Sequence, residues 1–143
     1  MPTDLRFVCD TNAIVSAVLL KESVARRAFD RAHLQGKLLV STATVDELNQ
    51  VLRRKGFDKY VTEDERIEFI TALVREAILI DIATTITECH DPKDNKFLEL
   101  AISGDANCIV SGDDDLRVLN PFRGIPILTP RQFLDYSWEE SSH

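Results

Sequence analysis

Five short, almost wholly apolar runs punctuate the chain, in LRFVCD, KLLVS, ILIDI, NCIVSG and GIPIL, and stretches with helical spacing separate them. Strands that are apolar along their whole length must be covered on both faces, and connections long enough to hold a helix make neighbouring strands parallel. The pattern therefore predicts an α/β fold with a parallel sheet between helices. Right-handed crossovers and a reversal of winding follow, and such sheets bind ligands beyond the carboxyl ends of the strands at the reversal. Residues that carry chemistry should then stand just after strands.

The connecting segments read as helices with ordinary end signals. TNAIVSAVLL places Ile14, Val15, Val18 and Leu19 at helical spacing, and Ser23 to Leu34 does the same with Val24, Ala28, Phe29 and Ala32 before Gly36. STATVDELNQVLRRKGF opens on Ser41 or Thr42 as cap, presents Val45, Leu48, Val51 and Leu52, and stops at Gly56. TEDERIEFITALVREA begins at a Thr62 cap and points Ile67, Ile70, Leu73 and Val74 at a core. DPKDNKFLELAISG has Asp91 as cap and Pro92 in the first position, and TPRQFLDY repeats that arrangement with Thr129 and Pro130. A length of 143 residues suits one domain, read as 1–136 with a loose tail at 137–143.

Charge and cysteine usage narrow the function. The formal net charge of −7 disfavours general nucleic-acid binding, but cations held by clustered acids invert the field locally. No run approaches the roughly 18 residues that span a bilayer, and the N-terminus lacks the pattern of a signal peptide, so a cytoplasmic protein without a membrane partner is expected. Cys9 and Cys108 sit inside apolar runs, while Cys89 and His90 have no second pair at zinc spacing.

Four acids satisfy the strand-end rule. Asp10 follows the first strand, Asp113 follows the fourth, Glu47 borders the apolar face of the third helix, and Asp94 opens the helix that feeds the fourth strand. Each has a plainer reading alone: Asp10 and Asp94 as helix caps, Glu47 as a surface residue, and the run Asp113–Asp115 as a polar loop. Their joint placement at one end of one sheet outweighs those readings. Carboxylates packed together do not all stay ionised without cations, and an all-oxygen donor set suits Mg2+ or Mn2+. The chemistry this reaches is metal-assisted hydrolysis of a phosphate ester.

The stretches FVCDTNAIVSAVL, STATVDELNQVL, DPKDNKFLELA, IVSGDDDL and GIPILTPRQFL, in that order, resemble the PIN domain family along nearly the whole chain, and within it the toxin components of toxin–antitoxin systems. The resemblance implies a three-layer α/β/α sandwich with a five-stranded parallel sheet. It also implies an endoribonuclease dependent on Mg2+ or Mn2+ that cleaves single-stranded RNA with a metal-bound water, leaving 5′-phosphate and 3′-hydroxyl ends. The family's four acids fall on Asp10, Glu47, Asp94 and Asp113, with Asp115 as a further metal-site acid and Asn12 and Ser111 as supporting hydrogen-bonding residues. Arg53, Arg54, Lys55 and Lys93 are candidates for the RNA backbone, although no family motif fixes them. A cognate antitoxin and a homodimer are the partners implied besides RNA.

Two other functions are open to such a chain. A haloacid-dehalogenase-like phosphatase also places an Asp after its first strand, but it needs a second Asp where Asn12 stands and a lysine that ISGDANCIVSG lacks. A non-catalytic PIN-fold module binding protein or RNA would not require the complete acid set. Both rank below the nuclease.

Overall fold

The protein is represented by a computed structural model, in which residues 5–138 are described. Five parallel strands form one sheet in the order β3-β2-β1-β4-β5: β1 Arg6–Cys9, β2 Lys37–Val40, β3 Ile78–Leu79, β4 Cys108–Val110 and β5 Ile127–Leu128. The chain winds from β1 outward to β3 on one side, then returns to start again at β4 on the other. The winding therefore reverses between β1 and β4, whose register pairs Phe7 with Cys108 and Cys9 with Val110.

Successive residues of β1 serve opposite faces, because side chains alternate across a strand. Phe7 and Cys9 join a core formed with α1 Thr11–Leu19, α2 Val24–Gln35, α3 Thr42–Leu52, α4 Glu63–Glu76 and α7 Pro130–Asp135. Val8 joins a second core with α5 Asn95–Ser103 and α6 Asp114–Arg117, closed by Ile86, Cys89 and Phe122. Two cores on two faces make the expected three layers. Cys9, Cys89 and Cys108 are all buried free thiols, and no helix among the described residues is long and apolar enough to cross a membrane.

The end signals act where the sequence placed them. Ser41 caps α3, Thr62 caps α4 in a box with Glu65, and Thr129 caps α7 in a box with Gln132. Three details differ from expectation. α4 turns Arg66, Phe69, Ile70 and Leu73 inward, leaving Ile67 49% and Val74 40% exposed, because Arg66 reaches Asn49 at 2.5 Å and Phe69 lies against Phe29. α3 ends at Leu52, and Gly56 falls in a separate 3-10 turn, Lys55–Phe57. Trp138, assigned to the tail, packs its ring against Phe7 and Phe133; residues 139–143 lie outside the described residues.

Candidate active site

The reversal point brings the end of β1 beside the end of β4, and the backbone itself begins the site. The Asp10 N–H donates to the carbonyl of Val110, the last residue of β4, at 3.1 Å, carrying the ladder one residue past the end of β1. Asp10 then caps α1, accepting the Ala13 N–H on Oδ1 at 2.8 Å. Its Oδ2 accepts the Ser111 hydroxyl, and the same hydroxyl oxygen accepts the Asp113 N–H at 2.9 Å. One serine, fully buried, thus ties the two strand-end aspartates together.

An open cleft of about 210 Å³ lies over these strand ends, lined by the carboxylates Asp10, Glu47, Asp91, Asp94 and Asp113 and by Thr11, Asn12, Val51, Arg54, Lys93 and Phe97. Glu47 comes from α3, where it is half-buried beside Thr44, Leu48 and Val51 on the inward face. Its Oε1 accepts the Thr11 hydroxyl at 3.1 Å and the Lys96 ammonium at 3.0 Å. Asp94 comes from a 3-10 turn, Pro92–Asp94, that leads into α5.

Crowding and burial raise two of these carboxyls. Burial pushes the Asp10 carboxyl up to about 6; the Ser111 and Ala13 hydrogen bonds pull it down, and the Asp113 and Glu47 charges raise it again. Asp94 is pushed up to about 7, first by desolvation, then by its side chain's approach to the Asp113 carboxyl and by the charges of Asp113, Asp91 and Asp10. One Asp94 oxygen, Oδ2, is enclosed and meets no N–H or O–H donor. Neighbouring carboxylates have only acceptors to offer unless a proton or a cation stands between them.

A profile of the PIN domain matches residues 6–115. The chain belongs to the PIN domain family. A related protein of Methanocaldococcus jannaschii, the uncharacterized protein MJ1680, is 26% identical over 149 residues, covering 92% of this chain and 90% of its own. Two solved structures share the fold. VapBC2 from Rickettsia felis, bound to a DNA fragment from its promoter, has a TM-score of 0.59 at 12% identity, covering 87% of this chain and 98% of the other. DNA-bound VapBC from Salmonella typhimurium has a TM-score of 0.58 at 17% identity, covering 88% and 98%.

PIN domains are nucleases as a family, and the residues singled out in this one's sequence divide between the cleft and its surroundings. Asp10, Glu47, Asp94 and Asp113 all line it, as do Arg54 and Lys93. Arg53 and Lys55 are exposed and do not line it. Asn12 lines the rim but has no side-chain hydrogen-bond partner among the described residues; Thr11 beside it is the residue that holds an acid. Asp115 lies off the cleft lining, yet it offers an oxygen within 4.8 Å of oxygens from both Asp91 and Asp94.

Sequence reasoning missed Asp91 and Lys96. Asp91 was read only as a cap, and it does accept the Lys93 N–H at 3.0 Å. Its spacing of three from Asp94, one helical turn, was the available signal for a shared site. Lys96 carries no local signal in the sequence that marks it as the partner of Glu47.

This PIN domain fits a hard divalent cation. The donors at the cleft are carboxylate oxygens with no imidazole or thiolate among them. The enclosed, donorless Asp94 oxygen and the raised Asp10 and Asp94 carboxyls mark places that favour added positive charge.

Proposed function

We propose that this PIN domain is an endoribonuclease dependent on Mg2+ or Mn2+, hydrolysing phosphodiester bonds of single-stranded RNA, and that it is the toxin of a toxin–antitoxin pair. The observation that carries the reading is the convergence of Asp10, Glu47, Asp94 and Asp113, from four separate segments, on one cleft at the reversal of the sheet. Asp10, Asp94 and Asp113 would hold the cation, with Asp91 and Asp115 alongside. A bound divalent ion supplies charge to the phosphate oxygens and makes an attacking water more acidic.

The chain's own residues do the remaining work. Ser111 fixes the Asp10 carboxylate against the Asp113 backbone, so the two strand-end acids keep one geometry. Glu47, restrained by Thr11, is set to orient a water or a ligand from the α3 side. Arg54 and Lys93 give the acidic cleft two cations for the RNA backbone, where sequence-independent contacts supply affinity. In this reading a single strand passes across the cleft at the strand ends, its backbone against Arg54 and Lys93.

An antitoxin protein as partner draws support from the shared fold with the VapBC complexes, both of which are bound to DNA. A homodimer and a cytoplasmic location belong to the same reading. Incubating the purified protein with a single-stranded RNA and Mn2+ should give fragments carrying 5′-phosphate and 3′-hydroxyl ends, and EDTA should stop the reaction. Cyclic 2′,3′-phosphate ends would instead point to attack by the ribose hydroxyl and overturn the proposed chemistry.

A further inference from the structure

Among the described residues, Glu47 is the one cleft-lining acid that already has a cation of its own. Lys96 Nζ stands 3.0 Å from Glu47 Oε1, with the two side chains 22% and 29% exposed. The same ammonium donates to the Lys93 carbonyl at 2.6 Å. Lys96 therefore braces α3, which carries Glu47, against the turn that carries Asp91 and Asp94. No other acid of the cleft has such a partner: Asp10 is held by a hydroxyl and an amide, and Asp94 Oδ2 is enclosed with no donor at all.

The donor arrangement at Glu47 is nearly complete. Oε1 accepts from both Thr11 Oγ1 and Lys96 Nζ, which occupies its two lone pairs and leaves Oε2 as the oxygen available to the cleft. A carboxylate paired with an ammonium at contact distance has less to gain from a divalent ion than one surrounded by acids, because its charge is already offset. The aspartate side of the cleft lacks such compensation.

We propose that Lys96 is a positioning residue, a built-in counter-cation that keeps Glu47 outside the metal-ligand set and fixes its carboxylate for water or substrate. This rests on the reading of the cleft as a divalent-metal site and assigns its acids unequal roles. The aspartates hold the cation, and the Glu47–Lys96 pair acts next to it. Lys96 also limits the net negative charge that the cleft offers, so its removal makes the site more attractive to cations while loosening Glu47.

Calorimetric titration with Mn2+ tests this without any RNA. Asp94→Asn should weaken Mn2+ binding by about tenfold or more, whereas Glu47→Gln, which leaves the Lys96 charge unpaired but removes no ligand, should weaken it by no more than about threefold. Lys96→Met should tighten Mn2+ binding severalfold, Lys96→Arg should restore the wild-type value, and the tightening should vanish when Lys96→Met is combined with Glu47→Gln. In cleavage, Lys96→Met should lower kcat despite its tighter metal, a split that simple loss of structure does not produce. If Lys96→Met does not fold, as judged by circular dichroism, the Glu47→Gln and Asp94→Asn titrations decide alone. Glu47→Gln weakening Mn2+ as much as Asp94→Asn overturns the inference, as does unchanged affinity in a folded Lys96→Met. Failure of wild type to bind Mn2+ overturns the metal site itself, and the inference with it.

Discussion

The hydroxyl of Ser111 donates to Asp10 Oδ2 across the β1–β4 junction, and its oxygen also receives the Asp113 N–H at 2.9 Å. Ser111 is the first residue past the end of β4, and it is fully buried. Its position follows from topology: strands adjacent at the winding reversal place the residues just past their ends side by side.

Ser111→Ala should therefore affect both folding and the site. A buried carboxylate oxygen loses its donor, which costs about 1–3 kcal/mol and should lower the midpoint of urea unfolding. The cation loses the orientation of Asp10, so Mn2+ affinity should fall by about 10–100-fold in calorimetry. Unchanged affinity in a folded Ser111→Ala protein would remove Ser111 from the site.

Metal-free stability should fall as the pH rises. Asp10 titrates near 6 and Asp94 near 7 in the fold, against an ordinary value of 3.8 for each, so the native state holds protons that the unfolded chain has released. This contribution is fully present below pH 3.8 and is lost as the pH climbs through about 6 and about 7. Urea midpoints measured in EDTA between pH 5 and 8, on a scale of about one unit per point, should decline in that window. Saturating Mg2+ should flatten the decline, because the cation takes over the role of the proton.

Asp94→Asn should raise the melting temperature in metal-free buffer by a few degrees, about what relief of one like-charge contact yields for a domain of this size. Added Mg2+ should then stabilise wild type more than the variant. Differential scanning fluorimetry with and without Mg2+ reads both effects, and a wild-type melting curve indifferent to Mg2+ would count against the site.

Arg54→Ala and Lys93→Ala should weaken RNA binding without sequence preference. Each should reduce the slope of log affinity against log salt by about 0.7, the single-strand value for one phosphate contact. Arg53→Ala and Lys55→Ala, whose side chains do not line the cleft, should leave the slope unchanged. Fluorescence anisotropy on a labelled single-stranded RNA across a salt series separates the two pairs.

Most of the fold was legible because its signals are local. Apolar runs mark β1, β2 and β4, and caps such as Ser41, Thr62 and Thr129 mark helix starts. The rotation of α4 was not legible, since Ile67 and Val74 are spaced as well for burial as Phe69 and Leu73; contacts of Arg66 and Phe69 with other helices decide it. The same division holds at the cleft. Asp10 and Asp113 were readable from strand ends, and Glu47 from its place at the edge of an apolar face. Lys96 was not, because its meaning lies in Glu47, 49 residues away in sequence.

The three consecutive aspartates after β4 show how finely neighbours can differ. Asp113 lines the cleft and caps α6, accepting the Asp115 N–H at 2.8 Å. Asp114 is 88% exposed in its side chain and pairs with Arg117 at 3.2 Å. Asp115 turns toward Asp91 and Asp94. The short helix that the run begins gives each side chain its own direction.

Cleavage of a fluorescent single-stranded RNA in Mn2+ by wild type, Asp10→Asn and Asp113→Asn tests the central claim most directly. The account predicts rapid cleavage by wild type that is abolished by EDTA and reduced at least about a hundredfold in both variants, as for removal of a ligand-bearing group. Equal activity in wild type and both variants, whether high or at trace level, would contradict it.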